Sequence, residues 1–243
     1  MNITNNNAGK IIKDATIGIE HMKGYLNGWE EKPYMFNYEI QENALIKLFH
    51  DIPENSNPID VWKKVSLVDS YYSTNLKEGI WDAVLNIVDL DNFNQRVSDG
   101  DWGVVEEISK VYSAKTSNVK ESISFASKYC SRMQPAKFPI YDKYVRQMLA
   151  LIQKYHPFLE KAEDIKNIDK NYIAFANVMS EFCTFFFGNE IDYKMADKYL
   201  WTWAKEIIQS EYRKKKIEYY EHCKRANEIK VLLDALYPSI DNN

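Results

Sequence analysis

The stretch Ser124–Leu149, SFASKYCSRMQPAKFPIYDKYVRQML, decides how the chain is read. Leading into it, Ile123, Ala126 and Cys130 recur at helical spacing, opposite a row made by Lys120, Ser124, Lys128 and Arg132. That pattern predicts a helix over Val119–Met133, capped by Ser117 or Asn118 and carrying a basic face. Pro135 and Pro139 stop it, and Asp142 opens a second helix to Tyr155 whose Val145, Leu149 and Ile152 form an apolar stripe. The expected unit is helix, proline-bounded turn, helix, with one aspartate at the second helix's start. Ordinary N-capping accounts for an aspartate there, and a cap also holds a carboxylate still enough for chemistry.

Outward from this unit the sequence keeps reading as helix. Towards the N-terminus, IDVWKKVSLVDSYYSTN places Val61, Val65, Val68 and Tyr72 at helical spacing, ending in the hydrogen-bonding tip Tyr71–Asn75, where Ser73, Thr74 or Asn75 can cap the helix Leu76–Val88. Shorter helices are expected over Leu90–Arg96 and Trp102–Tyr112. Before them stand helices over Ala15–Leu26 and Gln41–His50, preceded by a loose tail of residues 1–12. The loop Pro53-Glu-Asn-Ser-Asn-Pro58 is the clearest break. Towards the C-terminus, helices are expected over Tyr172–Phe187, Asp192–Ser210 and the highly charged Arg213–Leu236. The fold class is all-α, a compact multi-helix domain with three segments: 1–58, a core of 59–156, and 157–243. A site would lie in a cleft between lobes.

Eight glycines and seven prolines in 243 residues fit long helices, and 45% hydrophobic residues suffice for a sizeable core. Cys130, Cys183 and Cys223 are odd in number and far apart, so no disulfide framework or CxxC zinc site is indicated and a reducing cytosol is expected. Met1–Lys13 is too polar for a signal peptide, and Phe182–Phe187 is too short to span a bilayer. Net charge is −4. Lys110–Arg146, however, carries eight basic residues against Glu121 and Asp142, leaving that segment at +6 and the remainder at −10. A basic segment around a lone aspartate fits a face that tracks phosphates, and it also fits a solvated helix face. Four scattered histidines, without HExxH or CxxC spacing, give no metal site, and the chain has no Gly-x-Ser-x-Gly and no Gly-rich phosphate loop. No cofactor is expected.

At Lys137-Phe-Pro-Ile-Tyr-Asp142-Lys-Tyr-Val-Arg146 the chain resembles helix-hairpin-helix DNA glycosylases, whose Pro-Val-Asp-x-x-Val-x-Arg segment sets the catalytic aspartate at a helix start. Ser70–Asn75 lies where that family has the Leu-Ser-x-Gln-Thr end of a helix facing the base pocket. The resemblance covers Ile59–Leu151. It departs in two places: the Gly-rich hairpin is replaced by Ala114–Ser122, which has no glycine, and Tyr141 is an extra residue before Asp142.

The resemblance implies Asp142 as the catalytic carboxylate, Tyr72, Asn75 and Tyr141 as base-pocket residues, and Lys115, Lys120, Lys128, Arg132 and Lys143 as contacts to double-stranded DNA. It implies a monofunctional enzyme leaving an abasic site, with Lys120 or Lys128 the candidates if a lysine instead attacks the sugar. The altered pocket points to an unusual base, such as a glucosylated hydroxymethylcytosine in defence against phage, with damaged purines equal in standing. The competing expectation is a non-catalytic helical module that binds nucleic acid or protein, with Asp142 only a cap.

Overall fold

A computed structural model describes residues 3–29, 36–113, 117–161, 163–188 and 190–208. The fold is all-α: among these residues are twelve α-helices and one small antiparallel sheet of two strands. In chain order they are α1 (Ile3–Asp14), α2 (Ile19–Leu26), α3 (Phe36–Asp51), α4 (Pro58–Tyr72), a 3-10 turn (Lys77–Gly79), α5 (Ile80–Val88), α6 (Phe93–Asp99) and α7 (Gly103–Ile108). The strands β1 (Lys110–Ser113) and β2 (Asn118–Glu121) precede α8 (Ile123–Met133), α9 (Lys143–Tyr155), α10 (Glu163–Asn167), α11 (Tyr172–Phe187) and α12 (Tyr193–Ile208).

One apolar core runs through the molecule, and the helices reach it in two groups. Helices α3, α4, α5, α7 and α8 pack together, while α1 and α2 cross to the far end of the chain and pack on α9 and α12. Helix α11 touches both groups, through α7 on one side and α9 and α12 on the other. Tyr172, Phe175, Phe182 and Trp203 are among the large side chains sealed inside. Among the described residues, no helix is long and apolar enough to cross a membrane.

Local chemistry accounts for the helix ends that matter to the site. Asn57 caps α4, its Oδ1 accepting the Ile59 N–H at 2.9 Å with Pro58 in the first turn. Asn171 caps α11 by accepting the Ala174 N–H at 2.9 Å, and Gly188 closes it in the left-handed conformation. The turn after α4 is tight: Ser73, Asn75 and Lys77 all have positive φ, and Asp69 Oδ1 ties it by accepting Thr74 Oγ1 at 2.5 Å and the Leu76 N–H at 3.0 Å.

Two sequence expectations are corrected. Residues 3–14 form a helix rather than a loose tail, because Ala8 and Ile12, one turn apart, are buried against the core. The helices expected over Trp102–Tyr112 and Val119–Met133 are each shortened by a β-hairpin between them. Val111 and Ser113 point inward while Lys110 and Tyr112 point out, a period of two. Tyr112 faces Val119 across the pair, and the Ser122 N–H donates to Ser109 O at 2.7 Å before α8 begins at Ile123. The expected cap at Ser117 or Asn118 therefore belongs to the hairpin. The helix expected over Arg213–Leu236 and the Cys223 thiol lie outside the described residues.

Candidate active site

The backbone before Asp142 is clamped from three elements. Tyr172 Oη on α11 donates to Pro139 O at 2.9 Å, and the Tyr141 N–H donates to Ser127 Oγ on α8 at 3.0 Å. Trp102 Nε1, just ahead of α7, donates to Lys137 O at 2.9 Å. Asp142 follows in an extended conformation, and its Oδ1 accepts the Tyr144 N–H at 2.7 Å. The carboxylate is thus fixed at the positive end of α9.

Beside it stands a largely buried cluster of charged and polar side chains drawn from α3, α4, α8 and α12. Lys128 on α8 is 4% exposed, its Nζ donating to Ser124 Oγ at 2.6 Å and lying 5.2 Å from the centre of the Tyr72 ring. Burial lowers the Lys128 pKa, opposed by the Asp142 and Asp197 carboxylates and reinforced by Arg146. One turn on, Arg132 donates through Nη2 to Tyr72 Oη at 2.5 Å and through Nη1 to Glu42 Oε1 on α3 at 3.2 Å. The same Glu42 oxygen takes Lys194 Nζ of α12 at 3.0 Å. Burial alone would raise the Glu42 pKa, but Arg132 and Lys194 outweigh it and hold it below the usual value. Burial pushes the Tyr72 hydroxyl up to about 12, so it remains a phenol over the working range.

Asp197, one turn along α12 from Lys194, completes the cluster. Its Oδ1 is sealed from solvent without a hydrogen-bond partner among the described residues. Burial, then the Asp142 charge, push its pKa up to about 8, against the pull of Lys128 and Arg132. A cleft of about 540 Å³ opens over the cluster's edge, with Arg132 and Lys194 in its lining together with Phe49, Asn94, Ser131 and Gln134. The cleft wall is braced by Asn55, which donates to Asn94 Oδ1 at 2.6 Å and accepts Lys64 Nζ and Tyr129 Oη, each at 2.5 Å.

Of the residues singled out from sequence, the fold brings together Asp142, Lys128, Arg132 and Tyr72. Tyr141 is a core residue, 6% exposed, its ring between the Arg146 guanidinium, 4.2 Å from its centre, and Phe175, 5.2 Å away. Lys120 lies on β2 and donates to the Asn75 carbonyl at 3.1 Å, so these two form a contact of their own outside the buried cluster. Lys143 is exposed in the first turn of α9, and Lys115 lies outside the described residues. The expected basic face Lys120–Ser124–Lys128–Arg132 is therefore not one surface stripe: its first member is on a strand, and the two other cations turn inward. Among the described residues, no group of three or more His, Cys, Asp or Glu side chains is placed to hold a metal.

The residues missed in the sequence are Glu42, Lys194 and above all Asp197. A signal existed for Asp197. It falls on the same side of α12 as Leu200 and Ala204, three and seven residues on and both fully buried, so it is an acid on a core-facing stripe.

A Haemophilus influenzae protein, described as uncharacterized, is 37% identical over 153 residues, which cover 61% of this chain and 68% of that protein. The chain belongs to the family of that protein. The HI_0787_N family, described as an N-terminal domain, matches residues 21–137. That match takes in Glu42, Tyr72, Lys128 and Arg132 and ends five residues short of Asp142. No solved structure matches the chain.

Proposed function

We propose that the chain is a DNA glycosylase that cleaves the N-glycosidic bond of a flipped-out modified or damaged base. One observation carries this reading: the Asp142 carboxylate is pinned at the start of α9, and its charge and that of Asp197 both act on the buried Lys128 amine, in a cluster whose Arg132 and Lys194 reach the lining of a cleft of about 540 Å³. Breaking an N-glycosidic bond develops positive charge at C1′, and a fixed carboxylate in a water-poor site stabilises that charge and aligns the attacking water. The cleft lining, with Asn94, Ser131, Arg132, Gln134 and Lys194 beside Phe49, supplies donors and an aromatic face for an unstacked base. Both a glucosylated hydroxymethylcytosine of phage DNA and a damaged purine remain candidates for that base.

A second reading is supported by Lys128. An amine that burial holds below its ordinary pKa is a better nucleophile at neutral pH, and its attack at C1′ in place of water would couple base release to strand cleavage. Borohydride separates the two, because only the amine route leaves protein covalently trapped on DNA.

The test is incubation of wild type and Asp142→Asn with DNAs carrying ordinary, damaged and phage-modified bases, scoring free base and abasic sites. Release by wild type and not by the variant is expected for at least one DNA. Release by neither, with both proteins folded, would leave Asp142 as a helix cap and remove the enzymatic reading for that panel.

A further inference from the structure

We propose that the cleft lined by Arg132 and Lys194 holds a whole nucleotide, with its phosphate on Lys194 in the field of Arg132 and its base against the apolar lining. The inference takes the cleft as the glycosylase reading does and stands without that reaction, since a nucleotide can occupy it whether or not a bond is cut.

The lining itself selects the charge of the ligand. Arg132 and Lys194 bring two cations to it, and the described residues that line it include no Asp or Glu. In a chain of net charge −4, with 35 acidic residues, an acid-free concave surface carrying two cations is suited to an anion. Acids bonded to lining residues are engaged where they stand: Glu42 by Arg132 and Lys194, and Glu54 by Asn94 Nδ2 at 2.6 Å.

The two cations are arranged for one further acceptor. They come from different helices, α8 and α12, and share a single oxygen, Glu42 Oε1, at 3.2 Å from Arg132 Nη1 and 3.0 Å from Lys194 Nζ. One carboxylate for two cations leaves a positive charge over. Arg132 is held on its other side by Tyr72 Oη, and its side chain is 10% exposed, so it supplies fixed charge. The Lys194 side chain is 45% exposed, and an ammonium has three N–H groups to place, so Lys194 supplies the donor. A lysine acting as a point charge is a common phosphate ligand.

Size and the rest of the lining describe the body that carries the phosphate. A volume of about 540 Å³ exceeds the needs of an inorganic anion and falls in the range that encloses small organic ligands. Ile46, Phe49, Val97, Met133 and Ile140 offer apolar surface to the faces of a base, and Gln134 offers an amide to its edge. A flat, largely apolar body joined to a phosphate is a nucleotide. A free nucleotide and one within a DNA strand present the same phosphate, and the experiment separates them.

Calorimetric titration compares the four 2′-deoxynucleoside 5′-monophosphates with their nucleosides and with inorganic phosphate, on wild type, Lys194→Met and Ile46→Glu. Wild type should bind at least one monophosphate about tenfold or more tightly than either its nucleoside or phosphate alone, the size expected of a hydrogen bond between charged groups. Lys194→Met keeps the aliphatic stem and leaves Glu42 on Arg132; it should lose that advantage and bind the nucleoside as before. Ile46→Glu sets an acid in the lining at a position 41% exposed, and should lose it too. If Lys194→Met fails to fold, Ile46→Glu decides. A single-stranded oligonucleotide that displaces the monophosphate at lower concentration supports the inference with a strand as the source, and one that does not supports it with a free nucleotide. Equal affinity for nucleoside and monophosphate, unchanged monophosphate binding in the variants, or no monophosphate binding at millimolar concentration overturns the inference and leaves the glycosylase reading to its own test of base release. Monophosphate binding without base release from any DNA keeps the inference and removes the reaction.

Discussion

Asp197→Asn should change how stability depends on pH, with a size that follows from the burial of one carboxyl. In the folded chain Asp197 titrates at about 8, against 3.8 when free in solvent. Between those values the folded state keeps a proton that the unfolded state releases. Folding stability therefore falls as pH rises through that window, and the loss is complete above pH 8. A shift of four units at about 1.4 kcal/mol per unit sets an upper bound on the order of 5 kcal/mol, and water entry on ionisation will bring the measured value below it. Asparagine is close in shape to the protonated acid and does not ionise, so the variant should match wild type within about 1 kcal/mol at pH 5 and exceed it by several at pH 8.5. Urea unfolding of both proteins at the two pH values measures this, and titrating groups not coupled to Asp197 cancel in the difference. Parallel stability profiles for the two proteins would refute the reasoning, because they would mean that Asp197 is ionised in the fold throughout the range.

Two further substitutions separate local roles. Asp142→Asn keeps a side-chain oxygen for the Tyr144 N–H and should be close to neutral for thermal stability, whereas Asp142→Ala removes the cap and should cost about 1 kcal/mol, so that comparing the two isolates capping from charge. Gly79→Ala would place a Cβ 3.0 Å from both Tyr112 O and Val111 Cβ, where β1 crosses the 3-10 turn, and should destabilise by about 1–3 kcal/mol in chemical denaturation; a neutral result would mean that the strand moves aside at little cost.

Much of the fold was legible because apolar spacing carries it. Helix α11 runs as expected from Tyr172 to Phe187, and α9 begins one residue after its Asp142 cap. The hairpin was not legible, because Lys120, Ser124, Lys128 and Arg132 recur every four residues across its boundary and imitate a helical face. The competing signal, Val111, Tyr112 and Val119 on two short strands, is too brief to outweigh that row until the pairing is seen. The first helix was hidden by its asparagines, although Ala8 and Ile12, one turn apart, lie on its buried side. At the site, Asp142 could be found from its position between a proline turn and an amphipathic helix. Asp197 could not be joined to it, because nothing in the sequence states that α12 packs along α9.

Two buried lysines, Lys64 on α4 and Lys128 on α8, differ in how fully their surroundings satisfy them. Lys64 is wholly enclosed, yet its ammonium meets three acceptors: Ile52 O at 3.1 Å, Glu54 O at 2.9 Å and Asn55 Oδ1 at 2.5 Å. Burial lowers its pKa to about 8 against the pull of Asp60 and Glu54, so the ammonium form persists at neutral pH with every donor used. That arrangement fixes the loop between α3 and α4 and leaves nothing over for a ligand. Around Lys128 fewer groups are satisfied: Arg132 Nε and Asp197 Oδ1 are buried without partners among the described residues, and the Asp142 charge raises the Asp197 pKa. Breaking a network of buried charges costs several kcal/mol, and filling the same volume with apolar side chains is commonly neutral or stabilising. A fold that satisfies Lys64 completely has the means to satisfy Asp197 as well. The atoms left unpaired among the described residues are what separates the Lys128 cluster from the Lys64 pin.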